Sequence, residues 1–181
     1  MNDLLIDKLM PHYHVRARYQ VDVHAPVERA YSAARRLDMS DSIVVRCLFR
    51  LRGLPDSSLT FDGLLKMGFM LLGDKTSEEI VFGLIGRFWT PFPQLQRIHP
   101  DGFAGVDLPG FAKAVGNMAF IPSRDGSSVR VTTETRVQCL CDSSRRSFGL
   151  YWRIIGPFGG IIRKEWLRMI KRRSEAPTRP R

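Results

Sequence analysis

A long amphipathic segment at residues 144–173 limits the possible folds more than any other feature of the sequence. Apolar side chains recur in it at steps of three and four residues, which is the spacing of one helix face. These residues are Phe148, Tyr151, Trp152, Ile154, Ile155, Phe158, Ile161, Ile162, Trp166, Met169 and Ile170. Basic residues cluster on the opposite side, at Arg146, Arg153, Lys164, Arg168 and Lys171. The pattern predicts a C-terminal helix that packs along its length against the rest of the chain.

The middle of this helix is interrupted by proline and glycine. Pro157 removes a hydrogen bond to the Arg153 carbonyl and predicts a kink. Gly159 lies on the apolar face, so no side chain separates the backbone there from whatever the helix covers. Two interpretations stay open, a core helix bent to follow a sheet and a gap left for a ligand. One of the residues 142–144 (Asp, Ser, Ser) is expected to cap the helix.

Strand patterns dominate the rest of the chain. Residues 14–23 alternate strictly between apolar and polar side chains, which indicates a half-buried strand of an antiparallel sheet. Three further strands are predicted at 78–89, 112–121 and 129–139, and the polar turn 123–128 joins the last two as a hairpin. Glycines inside the first of these three strands indicate bends in a curved sheet.

Short helices are predicted between the strands. Residues 27–37 and 43–51 have helical spacing, and residues 61–72 are expected to change from helix to strand near Met67. The proline-rich residues 90–109 are expected to form a loop. The order strand, two helices, several strands and a long helix favours one α+β domain over residues 1–173. Residues 174–181 are expected to form a disordered basic tail.

Composition restricts the partners and the compartment. Neither a secretory leader nor an apolar stretch of bilayer length is visible, and an odd number of cysteines, three, argues against a disulfide framework. A cytoplasmic protein is therefore predicted. The net charge of +10 favours anionic partners, although a basic surface that serves only solubility is an equal alternative.

Four motifs in this order resemble the START-like helix-grip superfamily, which includes the SRPBCC and polyketide cyclase-like proteins. They are APVERAY at 25–31, FGLIGRFW at 82–89, TETRV at 133–137 and YWRIIGPFGGIIR at 151–163. The resemblance implies a curved antiparallel sheet wrapped around the C-terminal helix. It also implies a cavity between them that takes lipids, polyketides, steroids or hormones. Some members of the superfamily catalyse reactions and many only bind, so the fold alone assigns no activity.

If that cavity exists, apolar residues of the helix and the sheet are expected to line it, and ordinary core packing is the alternative for each of them. The predicted lining comprises Phe82, Trp89, Phe111, Met118, Phe120, Trp152, Ile155 and Gly159.

Glu134 and Arg136 share one face of a strand. Facing inward, the pair would orient a polar ligand or supply acid–base chemistry; facing outward, which is preferred, the two would be solvated charges. The alternation itself does not decide, because Val129, Val131, Thr133, Thr135 and Val137 make the more apolar face. Arg136 is therefore a ligand-binding candidate, and Glu134 and Tyr19 are the catalytic candidates.

Other chemistry finds little support in the sequence. The histidines are scattered and no second ligand pair accompanies Cys139 and Cys141, so neither a metal site nor a cofactor is predicted. The leading hypothesis is a non-catalytic carrier or sensor of a small hydrophobic molecule. The second is a cyclase or hydratase working in the same cavity. The third is docking to acidic membranes, or less favourably to nucleic acid, through basic residues such as Arg46, Arg50 and Arg52.

Overall fold

The strand-like segments form one antiparallel sheet in the computed structural model, which describes residues 4–36, 38–51 and 60–177, with only the backbone of 48–51 and 61. The described strands are β1 (Val15–Val23), β2 (Met70–Lys75), β3 (Glu79–Arg87), β4 (Gln94–Gln96), β5 (Ala112–Pro122) and β6 (Val129–Cys139). Their order across the sheet is β1-β6-β5-β3-β2, and β4 pairs with the end of β3. Every pairing is antiparallel, as the alternation of β1 predicts.

Helices cover both faces of this sheet. The described helices are α1 (Leu5–Leu9), α2 (Val27–Arg35), α3 (Ile43–Leu51), α4 (Phe61–Lys66) and α5 (Asp142–Glu175). The long helix α5 crosses the concave face, where it contacts β1, β6 and α2. The short helix α1, which the sequence analysis did not predict, packs on the opposite, convex face against β3 and β5. The α+β helix-grip architecture is therefore confirmed.

The two faces carry separate apolar cores, because successive side chains of a strand point to opposite sides. On the concave face, residues such as Val131 and Phe120 pack with Trp166 and Ile170 near the C-terminal end of α5. On the convex face, Ile6, Met10, Val81, Ile85, Phe103 and Val115 form a second core beneath the N-terminal segment. A third cluster surrounds Phe148 at the start of α5.

The ends of α5 differ from the prediction. Its N-cap is Cys141, whose backbone N–H and side chain both interact with Ser144, rather than one of the three residues that follow it. The helix continues through Pro157 and ends at Glu175. Ser174 is buried and its hydroxyl donates to the Ile170 carbonyl at 2.7 Å, so the expected tail does not begin at residue 174. In the described part of the chain, no helix has the length and apolar character to cross a bilayer.

Candidate binding cavity

A cavity of about 490 Å³ lies between the concave face of the sheet and the middle of α5. This volume is within the range of small-molecule sites, roughly 300–1,000 Å³. Its described lining consists of Ala17, Met39, Leu64, Met67, Phe69, Phe82, Leu84, Phe88, Pro93, Leu95, Ala114, Val115, Gly116, Thr135, Val137, Phe148, Tyr151, Trp152, Ile155, Gly156, Gly159, Gly160, Ile162, Arg163 and Trp166. Four predicted residues are among them, namely Phe82, Trp152, Ile155 and Gly159.

Glycines of α5 keep the helix side of the cavity open. A methyl group built on Gly159 would meet no atom within 4 Å, so this position faces open space. The neighbouring Gly160 has a different role, because an added Cβ there would lie 2.5 Å from the Tyr19 hydroxyl. The first glycine leaves volume beneath the helix, and the second lets β1 approach it closely.

Phe82 shapes the sheet side of the cavity. Its ring lies over Gly116 of the neighbouring strand, where an added Cβ would come within 2.5 Å of ring carbon Cε2. The ring also contacts Phe69 and Trp166, with centroid distances of 5.9 Å and 6.2 Å. A glycine opposite a large aromatic ring lets that ring lie along the sheet and leaves the space above it free.

The other predicted lining residues lie outside the cavity. Trp89 follows the end of β3 and packs against Phe148 at a centroid distance of 5.6 Å. Phe111 precedes β5 and lies beneath the Arg87 guanidinium. Met118 and Phe120 do point to the concave face, but they belong to the core that the C-terminal turns of α5 fill. Trp89, Met118 and Phe120 thus pack in apolar clusters, and Phe111 is half-buried outside them.

Three polar groups of the cavity lining have no hydrogen-bond partner in the described structure. The Thr135 hydroxyl and the Trp166 indole Nε1 are buried and unpaired. Arg163 is the one charged side chain among the described lining residues, and it contacts no carboxylate of the described chain. The side chain is half-buried, and loss of solvation in the cavity lowers its pKa to about 10, which Tyr19 offsets only in part. The sequence analysis missed all three residues, although Arg163 follows Gly156 by two helical turns and shares its face.

Glu134 and Arg136 lie on the convex face, away from the cavity, yet both are buried. The Glu134 carboxylate accepts hydrogen bonds from Arg16 Nε at 2.8 Å and from Arg136 Nε at 2.7 Å. Arg136 also donates to the Met10 carbonyl at 2.9 Å and to the Asp7 carboxylate at 2.6 Å. The outward orientation is confirmed, but these side chains bind the N-terminal segment instead of solvent. The prediction that Arg136 contacts a ligand in the cavity is wrong for the same reason.

The environment of Glu134 also removes it as an acid–base candidate for the cavity. Burial raises the pKa of Glu134, but hydrogen bonds and charge from Arg16 and Arg136 outweigh it and hold the pKa below its ordinary value. The carboxylate is therefore ionised at neutral pH and already paired. Glu79 has a comparable role nearby, since it accepts from the backbone N–H groups of Leu5 and Ile6 and from Asn117 Nδ2.

Tyr19, the second catalytic candidate, packs between β1 and α5. Its ring belongs to the concave core and lies 5.7 Å from the Lys164 ammonium. It is not among the residues that line the cavity. The sequence reasoning placed Tyr19 on the correct face, but the close approach to Gly160 puts its hydroxyl against the helix backbone.

The cysteines form no metal site with their described neighbours. Among the residues that the structure describes, no group of three or more His, Cys, Asp or Glu side chains could hold a metal ion. Cys141 interacts with Ser143 and Ser144, and these contacts lower its pKa to about 6. Burial raises the pKa of Cys139 to about 11. Both residues belong to the junction between β6 and α5.

Comparison with known proteins gives similarity of fold only. No protein-family description matches the sequence, and no curated protein matches it either. Among solved structures, a protein from Nitrosospira multiformis is 12% identical, with a TM-score of 0.47 over 90% of this chain and 97% of that one. The Zhui aromatase/cyclase from Streptomyces sp. R1128 is 10% identical, with a TM-score of 0.35 over 90% and 96% of the two chains. The di-domain aromatase/cyclase BexL, of the BE-7585A biosynthetic pathway, is 12% identical, with a TM-score of 0.37 over 92% of this chain and 48% of that one. These low values assign neither a ligand nor an activity to this chain.

Proposed function

We propose that this protein binds and carries a small hydrophobic molecule, lipid-like or polyketide-like, in the cavity beneath α5. The observation that carries the proposal is the open, mostly apolar space of about 490 Å³ in a domain whose two neighbouring cores are closely packed. Apolar walls with a few polar groups are typical of ligand sites. An empty cavity in a protein core lowers the stability of the fold, and a bound ligand would offset that loss.

Carriage is preferred to catalysis because of what the described walls contain. No carboxylate and no imidazole is found among the described lining residues. A cyclase or hydratase needs an acid or a base within hydrogen-bond reach of its substrate. The two residues predicted for that role, Glu134 and Tyr19, lie outside the lining. The enzyme hypothesis therefore loses the residues on which it depended, and conversion of a bound molecule during incubation would restore it.

The test fills the cavity from its helix side. We expect native mass spectrometry of freshly purified protein to show a retained small molecule. A Gly159→Leu variant should lose it, because the new side chain enters open space. Gly149→Leu is the matched control, since Gly149 lies on the same helix, also has no atom within 4 Å of an added Cβ, and is outside the cavity.

Both variants replace a helical glycine, so both should gain up to about 1 kcal/mol of helix propensity. A difference in ligand retention between them then reports the cavity rather than helix stability. Wild-type protein that retains no small molecule and takes up no apolar probe such as 1-aminoanthracene would refute the proposal.

A second candidate function, docking to an anionic membrane, is favoured by the outer face of α5. Four apolar side chains are exposed there: Leu150 (65%), Ile154 (63%), Phe158 (40%) and Ile161 (45%). Arg146, Arg153 and Lys164 are exposed on the same helix, and residues 143–164 contain no Asp or Glu. Exposed apolar groups beside basic ones are the requirement for interfacial binding.

Of the predicted basic site Arg46, Arg50 and Arg52, only the first side chain is among the described residues. Arg46 is half-buried, whereas the Arg50 side chain and Arg52 lie outside the described residues. Co-sedimentation with phosphatidylserine vesicles is the measurement. An Ile154→Ser/Phe158→Ser variant and Arg153→Glu should each reduce binding, and Ile121→Ser, an exposed apolar residue on β5, should not. Binding to RNA but not to vesicles, or equal binding to neutral vesicles, would refute membrane docking.

A further inference from the structure

The unpaired polar groups of the cavity have one property in common, which is that each of them can donate a hydrogen bond. Trp166 Nε1–H can only donate a hydrogen bond, and a guanidinium such as that of Arg163 has five N–H donors and no acceptor. The Thr135 hydroxyl can donate as well. All three lie on the described lining: the Thr135 hydroxyl and Trp166 Nε1 are buried and unpaired, and the half-buried Arg163 contacts no carboxylate of the described chain. The described lining therefore contains unpaired donors and a cation but no carboxylate.

These donors are built into rigid elements. Thr135 lies in β6, between Ala17 of β1 and Gly116 of β5, which are its neighbours on the two sides. Arg163 and Trp166 lie three residues apart in α5, so they are adjacent on the helix surface. Thr135 and Trp166 are 7% and 6% exposed, so bulk water does not replace their missing partners, whereas Arg163 is half-buried.

A buried donor without a partner costs free energy, and an unpaired cation costs more. Two buried cations on the convex face of the described chain, Arg136 and Lys113, are paired. Arg136, which is buried on the convex face, contacts two carboxylates and two carbonyls. Lys113, buried beside it on that face, donates to the Ala104 carbonyl at 2.9 Å. The contrast singles out Arg163 as a cation whose counter-charge the described chain does not supply.

We propose that the cavity takes an amphiphile with an anionic head group, which Arg163 binds with help from Thr135 and Trp166 while the apolar walls hold the tail. This inference rests on the proposed function and specifies its ligand. The planar guanidinium fork favours carboxylate or phosphate oxygens, because it can donate two parallel hydrogen bonds to either. Phe82, Trp152 and Ile155 supply apolar surface for the tail.

The experiment compares ligands that share a tail and differ in the head group. Dodecanoate, dodecyl phosphate and dodecanol are titrated into the full chain, and binding is followed by displacement of 1-aminoanthracene. We expect an anion to bind more tightly than the alcohol, and the better of the two anions identifies the head group. Arg163→Met should weaken binding of that anion by about ten- to a hundredfold, the value of one charge-assisted hydrogen-bonded contact. Binding of dodecanol should stay the same.

Arg163→Lys and Thr135→Val keep the test informative if the methionine variant folds poorly. The lysine variant keeps the charge but loses the fork, so the preference for the anion should decrease without disappearing. The valine variant removes one hydroxyl, and we expect about a threefold loss for the anion alone.

Two outcomes would overturn the inference and leave different conclusions about function. One outcome is that dodecanol binds wild-type protein as tightly as both anions and Gly159→Leu abolishes binding of all three. The cavity then binds ligands, and only the proposed preference for an anionic head group is refuted. If Arg163→Met weakens the alcohol and the anions equally, Arg163 serves packing rather than recognition. Failure of 1-aminoanthracene itself to bind would refute the proposed function too.

Discussion

The two faces of strand β6 differ in how far their buried polar side chains have hydrogen-bond or ion-pair partners. On the convex face, Glu134 and Arg136 are within 2.7 Å of one another and have further partners on β1 and in the N-terminal segment. On the concave face, the Thr135 hydroxyl between them in sequence has no partner in the described chain. One strand therefore contributes to a closed polar network on one side and to an open site on the other.

The difference means that the buried carboxylates lie on the convex face, away from the cavity. The convex network fastens α1, a helix too short to be stable alone, to the sheet. Its carboxylates come from Glu79, Glu134 and Asp7, and all three bind groups of the chain itself. Among the described lining residues of the cavity, Arg163 is the one cation, and Thr135 and Trp166 carry unpaired neutral donors. Polar residues of the convex network thus stabilise the fold, whereas Thr135, Arg163 and Trp166 in the cavity have hydrogen-bond donors free for a ligand.

The largest expected effect comes from making the same substitution on both faces. Arg136→Met should lower the free energy of unfolding by about 3–5 kcal/mol, because it leaves a buried ion pair broken and two carbonyls unpaired. Arg163→Met should leave the free energy of unfolding unchanged or raise it, since it removes a cation that has no partner in the described chain. Urea denaturation of the two variants beside the wild type measures both values.

Arg16→Met is the control for partial loss of the network, because Arg16 contacts Glu134 from a more exposed position on β1. It should cost less than Arg136→Met. Equal destabilisation by Arg136→Met and Arg163→Met would show that the two faces do not differ in the way described.

The second prediction concerns acid. The pKa of Glu134 in the folded state is below its ordinary value of 4.5. A depressed carboxylate pKa contributes stability above the ordinary value, and that contribution is lost as the pH falls through the folded-state value. The free energy of unfolding of the wild type should therefore decrease below about pH 4.5 more steeply than that of Glu134→Gln.

Other carboxylates contribute to the same slope, so the difference between the two proteins is the quantity to measure. Asp125 in the β5–β6 turn has its pKa lowered to about 2 by hydrogen bonds from Ser123 and Ser127, and it is present in both. Chemical denaturation at several acidic pH values supplies the comparison. Parallel curves would show that the convex network does not depend on an ionised Glu134.

Periodicity predicted most of the fold but not the N-terminal segment. The strict alternation of β1 and the helical spacing of α5 fixed those elements within two residues of their observed ends. Helix α1 has five residues and no side-chain cap of its own. Its first N–H groups bind Glu79, more than seventy residues away in the chain. Local pattern contains no information about such a contact, and without α1 the side chains of Glu134 and Arg136 would be exposed to solvent.

The candidate site was predictable only in part for a related reason. Phe82, Met118 and Phe120 all alternate onto the concave face, and the sequence does not distinguish them. What separates them is which stretch of α5 lies opposite. The turns around Gly159 leave space above Phe82, while Trp166 and Ile170 fill the core that contains the other two. That register depends on how the whole sheet curves, so Arg163 could not be assigned to the cavity from its helical position alone.

The smallest expected effect comes from two threonines of β6 that both lie on the concave face and differ in whether the hydroxyl is paired. The Thr133 hydroxyl donates to the Asn117 carbonyl at 2.8 Å, whereas the Thr135 hydroxyl has no partner in the described structure. Thr133→Val should lower the free energy of unfolding by about 1 kcal/mol, the value of one buried hydrogen bond. Thr135→Val should leave it unchanged or raise it, because valine has nearly the same shape and removes an unpaired polar group.

Both threonines are buried in the same strand and gain the same β-branched side chain, so strand propensity and side-chain volume cancel in the comparison. Thermal or urea denaturation of ligand-free protein gives the two values. Adding the preferred anion should then make the free energy of unfolding of the wild type larger than that of Thr135→Val. The bound anion pairs with the hydroxyl of the wild type, which the variant lacks. If Thr135→Val is instead destabilised as much as Thr133→Val before any ligand is added, the hydroxyl of Thr135 already has a partner, and the concave face is less open to a ligand than its unpaired donors indicate.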